Sequence, residues 1–255
     1  MTPSPSLPPT LRRETVDGVV LLTIDRPDAL GAFHDDLWDG IGAALTQARG
    51  DDDVRCVVLT GTGRTFTAGQ DLAEMAAPRQ HDDGRDHGYR GFMPVLEEFD
   101  KPLVAAVNGM AVGIGTTLLP FCDVVLASTE ARFKVPFMPL GVTTEAAGSL
   151  LLPERMGWQR AARMVFTASW LSAAEAQEAG LVLEVVEPDA LVPSALELAR
   201  TIAAMPLDSL VTTKRLMMAA RGDAVRAARQ REDAEFARMV GSAANAAALA
   251  SFSKG

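Results

Sequence analysis

Cysteine is nearly absent from this 255-residue chain. Its two cysteines, Cys56 and Cys122, lie in apolar runs without metal-ligand or redox spacing, which excludes a disulfide framework and reads as buried, reduced thiols. Long uncharged runs are also missing, so no segment is expected to span a membrane. Positive charge is in deficit. Against 33 Asp and Glu stand 24 Lys and Arg, a formal net charge of −9, and nucleic-acid affinity needs clustered cations meeting phosphates, so no nucleic-acid partner is expected. The proline-rich residues 1–10 lack the apolar core of a secretory signal and read as part of a flexible tail over residues 1–14. At the other end Ser253-Lys-Gly255 carries glycine where a peroxisomal address needs leucine, which leaves the cytoplasm as the expected location.

What is present is an apolar content of 48%, enough for the core of one large α/β domain. Val19–Asp25 and Val54–Thr60 read as strands around an amphipathic helix over residues 35–49. Leu103–Val107, Val124–Ala127 and Leu181–Val186 continue the βαβ rhythm, and residues from about 189 onward have helical composition. No internal sequence repeat is visible. The run His81-Asp-Asp-Gly-Arg-Asp-His87 imitates a metal site, but polar, glycine-interrupted ligand spacing is common by chance, and residues 78–89 read as a solvated loop. No metal is expected. His34 reads as a turn residue and Asp71 as a helix cap.

Two glycine turns, Phe66-Thr-Ala-Gly-Gln-Asp71 and Gly109-Met-Ala-Val-Gly-Ile-Gly115, each follow a strand-like run and precede a helix-like one. Such turns are ordinary connectors, yet they also aim free N–H groups, and two of them converging on one carbonyl oxygen would stabilise an oxyanion or enolate. Downstream, Phe133-Lys-Val-Pro-Phe-Met-Pro-Leu-Gly-Val-Thr-Thr-Glu-Ala-Ala-Gly148 carries a single acid, Glu145. That acid reads either as a water-exposed partner of a helix N-terminus or, among Phe137, Met138, Leu140 and Val142, as a buried base of raised pKa.

The stretch Val57-Val-Leu-Thr-Gly-Thr-Gly-Arg-Thr-Phe-Thr-Ala-Gly-Gln-Asp-Leu72 resembles the signature of the crotonase (enoyl-CoA hydratase/isomerase) superfamily. Lys101-Pro-Leu-Val-Ala-Ala-Val-Asn-Gly-Met-Ala-Val-Gly-Ile-Gly115 with Cys122-Asp-Val-Val-Leu-Ala-Ser128 resembles its second oxyanion segment, and Leu22–Pro27 and Ala179–Val182 extend the match to residues 15–255. The resemblance implies a spiral of ββα units over residues 15–188, a C-terminal helical region over 189–255, and a homotrimer or dimer of trimers. It implies an acyl-CoA thioester as substrate and no cofactor.

The scaffold carries several reactions. At the two positions where hydratases of the family hold glutamates this chain has Thr117 and Phe137, and neither side chain exchanges a proton near neutrality, so simple hydration is not expected. The Pro136-Phe-x-x-Leu-Gly-x-x-x-Glu145 pattern and the Val112–Gly115 turn instead resemble the Δ3,Δ2-enoyl-CoA isomerase branch. That resemblance makes Glu145 the single acid and base, with the backbone amides of Gln70 and Ile114 on the thioester oxygen. It also places Arg26, Leu30, Ala32, Ala68, Asp71 and Leu72 along CoA, and Gly113, Thr117, Phe137 and Leu140 near the acyl group. Gly31 stands where the family commonly has asparagine, which loosens inference about the CoA contacts, and Arg26-Pro27 serves equally well as a structural turn. Phe252 and Lys254 are candidates for reaching a neighbouring subunit's CoA. A catalytically silent acyl-CoA binder, and another enolate reaction such as thioester hydrolysis or ring isomerisation, remain open alternatives.

Overall fold

The structure is a computed structural model that describes residues 7–76 and 79–252. In chain order the elements begin with β1 (Leu11–Val16), β2 (Val19–Ile24), α1 (Asp35–Gly50), β3 (Cys56–Gly61), β4 (Thr65–Thr67), α2 (Leu72–Ala76) and α3 (Gly88–Glu98). They continue through β5 (Leu103–Val107), β6 (Met110–Val112), α4 (Ile114–Thr117), β7 (Val124–Ser128), β8 (Arg132–Lys134), α5 (Gly148–Met156) and α6 (Trp158–Thr167). After β9 (Leu171–Ser172), α7 (Ala173–Ala179) and β10 (Glu184–Val186) come α8 (Leu191–Ala203), α9 (Leu207–Ala219), α10 (Gly222–Met239) and α11 (Ala243–Phe252).

The strands form two sheets, β1-β2-β3-β5-β7-β10 and β4-β6-β8-β9. Successive pairs β3–β4, β5–β6 and β7–β8 each place the first strand in the large sheet and the second in the small one before a helix returns the chain. This is the ββα spiral. Within each sheet these strands run parallel, so a geometric repeat exists where the sequence shows none.

Period-two alternation decides how the large sheet is covered. Val57, Leu59, Leu103, Ala105 and Val107 face the main core with Leu37, Trp38, Ile41 and Leu45 of α1. Cys56, Val58, Val104, Ala106 and Leu126 face the other way, against Leu191, Ala195, Ala199 and Ala203 of α8. Those four positions recur every fourth residue, and their alanines let α8 approach the sheet closely. Strands buried on both faces explain the continuous apolar runs in the sequence. Cys56 and Cys122 are buried free thiols, and burial raises both thiols to about 12.

Beyond shifts of one or two residues at strand ends, three expectations change at their edges. β1 begins at Leu11, inside the span read as tail, because its antiparallel register with β2 pairs Leu11 with Ile24 and supplies ladder bonds to otherwise polar residues. Residues 1–6 of that tail lie outside the described residues. The run read as a strand from Leu181 narrows to Glu184–Val186. Leu181 and Val182 instead donate their N–H groups to Ala176 O beyond the left-handed cap Gly180 (φ 87°), closing α7 while burying their side chains. The loop read over 78–89 gives way to α3 at Gly88, so Tyr89 is helical and packs against the main core. Residues 77–78 lie outside the described residues.

Lys101 is 2% exposed, and its Nζ donates to the carbonyls of Ala48, Asp51 and Val54 at 2.8, 2.6 and 2.7 Å, closing the C-terminal end of α1. Lys101→Met would leave those carbonyls short of a donor, and a loss of about 3 kcal/mol in urea unfolding is expected. Among the described residues no helix is long and apolar enough to cross a membrane. The C-terminal helices fold back on their own chain: Asn245 of α11 donates Nδ2–H to Leu140 O at 2.7 Å, and Gly141 has room for no side chain, since a Cβ there would meet Asn245 N at 2.9 Å.

Candidate active site

Neighbouring strands of the small sheet deliver the two glycine turns to one place. β4 pairs in parallel with β6, Thr65 with Met110 and Thr67 with Ala111, so the chain leaves both strands in one direction, into Ala68-Gly69-Gln70 and Gly113-Ile114. The turns then interlock. Gly69 (φ 92°) lies so near the second turn that a Cβ would stand 2.7 Å from Val112 O. Gly113 has φ 57° and ψ −121°, a region closed to L side chains. A Cβ on Gly115 would stand 2.5 Å from Thr67 Cγ2.

Both candidate amides are free of protein acceptors among the described residues. The Phe33–Gln70 bridge uses Phe33 N–H on Gly69 O and Asp71 N–H on Phe33 O, which leaves the Gln70 N–H on the opposite side. Ile114 opens a single helical turn, where its N–H has no intrahelical acceptor. The Gln70 side chain is fixed as well, its Oε1 accepting the Trp38 indole N–H at 2.9 Å.

Gly31 takes φ 68°, and a Cβ on it would meet Phe66 O at 2.9 Å, so the departure from asparagine at this position has a local steric reason. Leu30 and Ala32 flank it and run beside Ala68, whose N–H donates to Leu30 O at 2.9 Å. The structure thus gathers Leu30, Ala32, Ala68, Gln70 and Asp71 into one strip. Arg26 is committed within it, its Nη1 donating to Ala32 O at 2.8 Å and Asp71 Oδ2 at 2.7 Å. Burial acts to raise the Asp71 carboxyl, but the Arg26 hydrogen bond and the Glu74 and Ala73 amides prevail and hold it below the usual range. Asp71 Oδ1 caps α2 through the N–H groups of Ala73 and Glu74. Leu72 is exposed.

Thr117 is fully buried, and its Oγ1 donates to Gly113 O at 3.4 Å. It abuts the acid loop: a Cβ on Gly148 would stand 3.2 Å from Thr117 Cγ2 and 2.5 Å from Thr144 Oγ1. Phe137 is buried in the main core and Leu140 packs partly buried against it, so both back the loop. Glu145 precedes two consecutive left-handed alanines, Ala146 (φ 56°) and Ala147 (φ 53°). Non-glycine residues in that region store strain and persist only where surroundings over-determine them. Here Gly148 N–H returns to Glu145 O at 2.9 Å, and Ala146 N–H donates to Tyr89 Oη at 3.0 Å.

Glu145 is half-buried and its carboxylate accepts no hydrogen bond among the described residues. Burial pushes its pKa up to about 8, with the negative charges of Glu232 and Asp233 adding to the rise. Glu232 of α10 is itself buried and raised, chiefly by burial, although its Oε1 accepts the Ser149 N–H at 2.7 Å. Because the folded chain holds the Glu145 proton more tightly than the unfolded one, stability from this group is fully present below about 4.5 and lost as pH climbs towards 8. Relative to wild type, Glu145→Gln is therefore expected to gain a few kcal/mol in urea unfolding at pH 8.5 and almost nothing at pH 4.5.

The reading of His81 and His87 as solvated side chains is refined. Their rings stack at 3.8 Å, His81 pairs with Asp35 at 2.9 Å, and His87 pairs with Asp39 and Asp83. Among the described residues no cluster of His, Cys, Asp or Glu is placed to hold a metal ion. His34 stands at the cap position of α1 without a side-chain capping bond. Residue 254 lies outside the described residues, and of Phe252 only its place at the end of α11 is described. Sequence reading missed Trp38, Tyr89, Glu232 and Asp233 near the site, since no local motif links them to turns far away in the chain.

Comparison with known proteins identifies the family and the fold. The family model described as enoyl-CoA hydratase/isomerase matches residues 14–253. A protein of Escherichia coli K12 named 1,2-epoxyphenylacetyl-CoA isomerase is 36% identical over 209 residues, covering 80% of this chain and 79% of its own. A second from the same organism, named 2,3-dehydroadipyl-CoA hydratase, is 39% identical over 189 residues and 72% of each chain. The crystal structure of an enoyl-CoA hydratase/isomerase from Pseudoalteromonas atlantica T6c superposes with a TM-score of 0.93 at 36% identity, over 96% of this chain and 97% of that one.

Proposed function

Since the chain belongs to the enoyl-CoA hydratase/isomerase family, a crotonase-fold family of CoA-thioester enzymes, we propose that it shifts the double bond of a 3-enoyl-CoA to the 2-position with Glu145 as its single acid and base. The observation that carries the reading is the unpaired, raised carboxyl of Glu145 beside a site whose hydratase positions hold Thr117 and Phe137.

In this mechanism the Glu145 carboxylate removes a proton from C2. The C–H electron pair enters the conjugated dienolate, whose oxygen accepts the N–H groups of Gln70 and Ile114. Glu145 then returns its proton to C4, and the dienolate electrons form the C2–C3 double bond while restoring the thioester carbonyl. Nothing is consumed. A carboxyl titrating near the working pH serves both halves, because it must be base in the first and acid in the second. Arg26, Leu30, Ala32, Ala68, Asp71 and Leu72 belong to the proposed CoA strip; Arg26 acts there by holding Asp71 and the Ala32 carbonyl. Gly113, Thr117, Phe137 and Leu140 belong to the acyl side. Association into a homotrimer or dimer of trimers is part of the same reading, supported by exposed Trp158, Phe166, Leu216 and Met217.

The test follows trans-3-hexenoyl-CoA by the absorbance of the conjugated 2-enoyl thioester, with trans-2-hexenoyl-CoA as a hydration control and free CoA measured alongside. Conversion without hydration or CoA release is expected. Robust hydration would overturn the single-acid assignment, and CoA release would replace isomerisation by hydrolysis. The name of the first Escherichia coli relative suggests a second substrate to try, 1,2-epoxyphenylacetyl-CoA, with its consumption followed by chromatography.

A further inference from the structure

Partly buried polar groups behind Glu145 form a chain that the proposed proton transfer does not itself use. Tyr89 Oη accepts the Ala146 N–H at 3.0 Å and donates to Asp233 Oδ1 at 3.4 Å. Asp233 is paired with Arg229 at 3.0 Å, and Arg229 with the nearly buried Glu97 at 2.5 Å. Tyr89 and Glu97 sit on α3, Arg229, Glu232 and Asp233 on α10, so two helices converge on one amide of the acid loop. That amide belongs to the first of the two left-handed alanines, whose conformation carries an intrinsic cost and needs an external restraint.

The same tyrosine also reaches the other half of the site. Its ring meets Trp38 edge-on at 6.0 Å, and Trp38 holds the Gln70 side chain at 2.9 Å. One aromatic contact therefore connects the turn bearing Glu145 with the turn bearing an oxyanion amide. We propose that Tyr89 is a positioning residue: its hydroxyl holds the Ala146 N–H away from the Glu145 carboxylate, keeping that carboxylate unpaired and aimed, while its ring ties the acid turn to the Gln70 turn. The inference rests on the single-acid reading for its effect on turnover but not for its effect on the titration of Glu145.

The charged and titratable groups facing Glu145 are Tyr89 from α3 and Glu232 and Asp233 from α10. Burial first, and then the negative charges of Glu145 and Asp233, raise the Tyr89 phenol far above its ordinary range, so it stays a neutral hydroxyl throughout. Removing that hydroxyl frees an N–H one residue from the Glu145 carboxyl. A carboxylate that gains a donor becomes a weaker base.

Tyr89→Phe keeps the ring against Trp38. It is expected to lower kcat roughly 10- to 100-fold with KM within about twofold. It should also move the rising limb of the kcat pH profile down by about one unit. A general loss of packing would lower thermal stability without moving that limb. Tyr89 is the only tyrosine in the chain, so biosynthetic 3-fluorotyrosine labels this position alone and preserves its shape. The fluorine weakens the oxygen as an acceptor, and the limb should shift in the same direction by less. Without substrate, the fluorine resonance should titrate with Glu145 and lose that step in Glu145→Gln, an outcome independent of which reaction the enzyme performs. If folded Tyr89→Phe and the fluorinated protein both keep wild-type kcat and pH profile, or if the resonance shows no Glu145-dependent step, the positioning role is wrong. If the step is present but wild type converts no 3-enoyl-CoA, only the reaction assignment fails.

Discussion

Glu145→Gln is expected to lower kcat for trans-3-hexenoyl-CoA isomerisation by about 10³- to 10⁴-fold while KM changes by less than about threefold. The amide keeps the size of the carboxyl and the φ and ψ of the turn that carries it. It cannot take a proton from C2 or return one to C4, and Thr117 and Phe137 offer no substitute. Steady-state rates across pH check the claim. Wild type should show a limb near the raised pKa of Glu145, about 8, and the variant's residual rate should be flat through that region. A variant retaining wild-type turnover would point to another base.

Gly69→Ala is expected to reduce kcat about 10²- to 10³-fold, the usual consequence of losing an oxyanion donor. Two effects act together. The native φ of 92° is unfavourable for alanine, and the new methyl would sit 2.7 Å from Val112 O, pushing on the residue that leads into Gly113 and Ile114. The damage therefore reaches both amide donors from one substitution. Gly113→Ala provides a contrast, because its Cβ meets no atom within 4 Å and only the backbone strain remains. Gly69→Ala should be the less stable of the two in urea, and its deficit in kcat should persist at temperatures where circular dichroism shows it folded.

Much of the candidate site's geometry was legible because its parts are local. A glycine turn aims the N–H of the next residue through short-range backbone geometry, and the family signature around Ala68–Asp71 and Val112–Gly115 spans only a few positions. The isolated acid Glu145 stood out for the same reason. Helix α1 followed from its apolar periodicity, and β2, β3, β5 and β7 from continuous apolar runs. Short strands such as β4, β6 and β8, three residues each, lack enough alternation to announce themselves and exist because neighbouring strands complete their ladders.

By itself the sequence determined an anionic, cysteine-poor α/β chain, two glycine turns and one isolated acid, Glu145, in the loop downstream of them, because each depends on composition or on a few consecutive residues. Only the tertiary structure decided that Gly69 and Val112 touch, that Arg26 spends its guanidinium on Asp71, and that burial raises the acid with help from Glu232 and Asp233, nearly ninety residues away. It alone placed Tyr89 under Ala146 and Trp38 beside Gln70. These are contacts between separate helices and loops, fixed when the spiral and α10 pack together, and a carboxyl's basicity is set by what surrounds it in space.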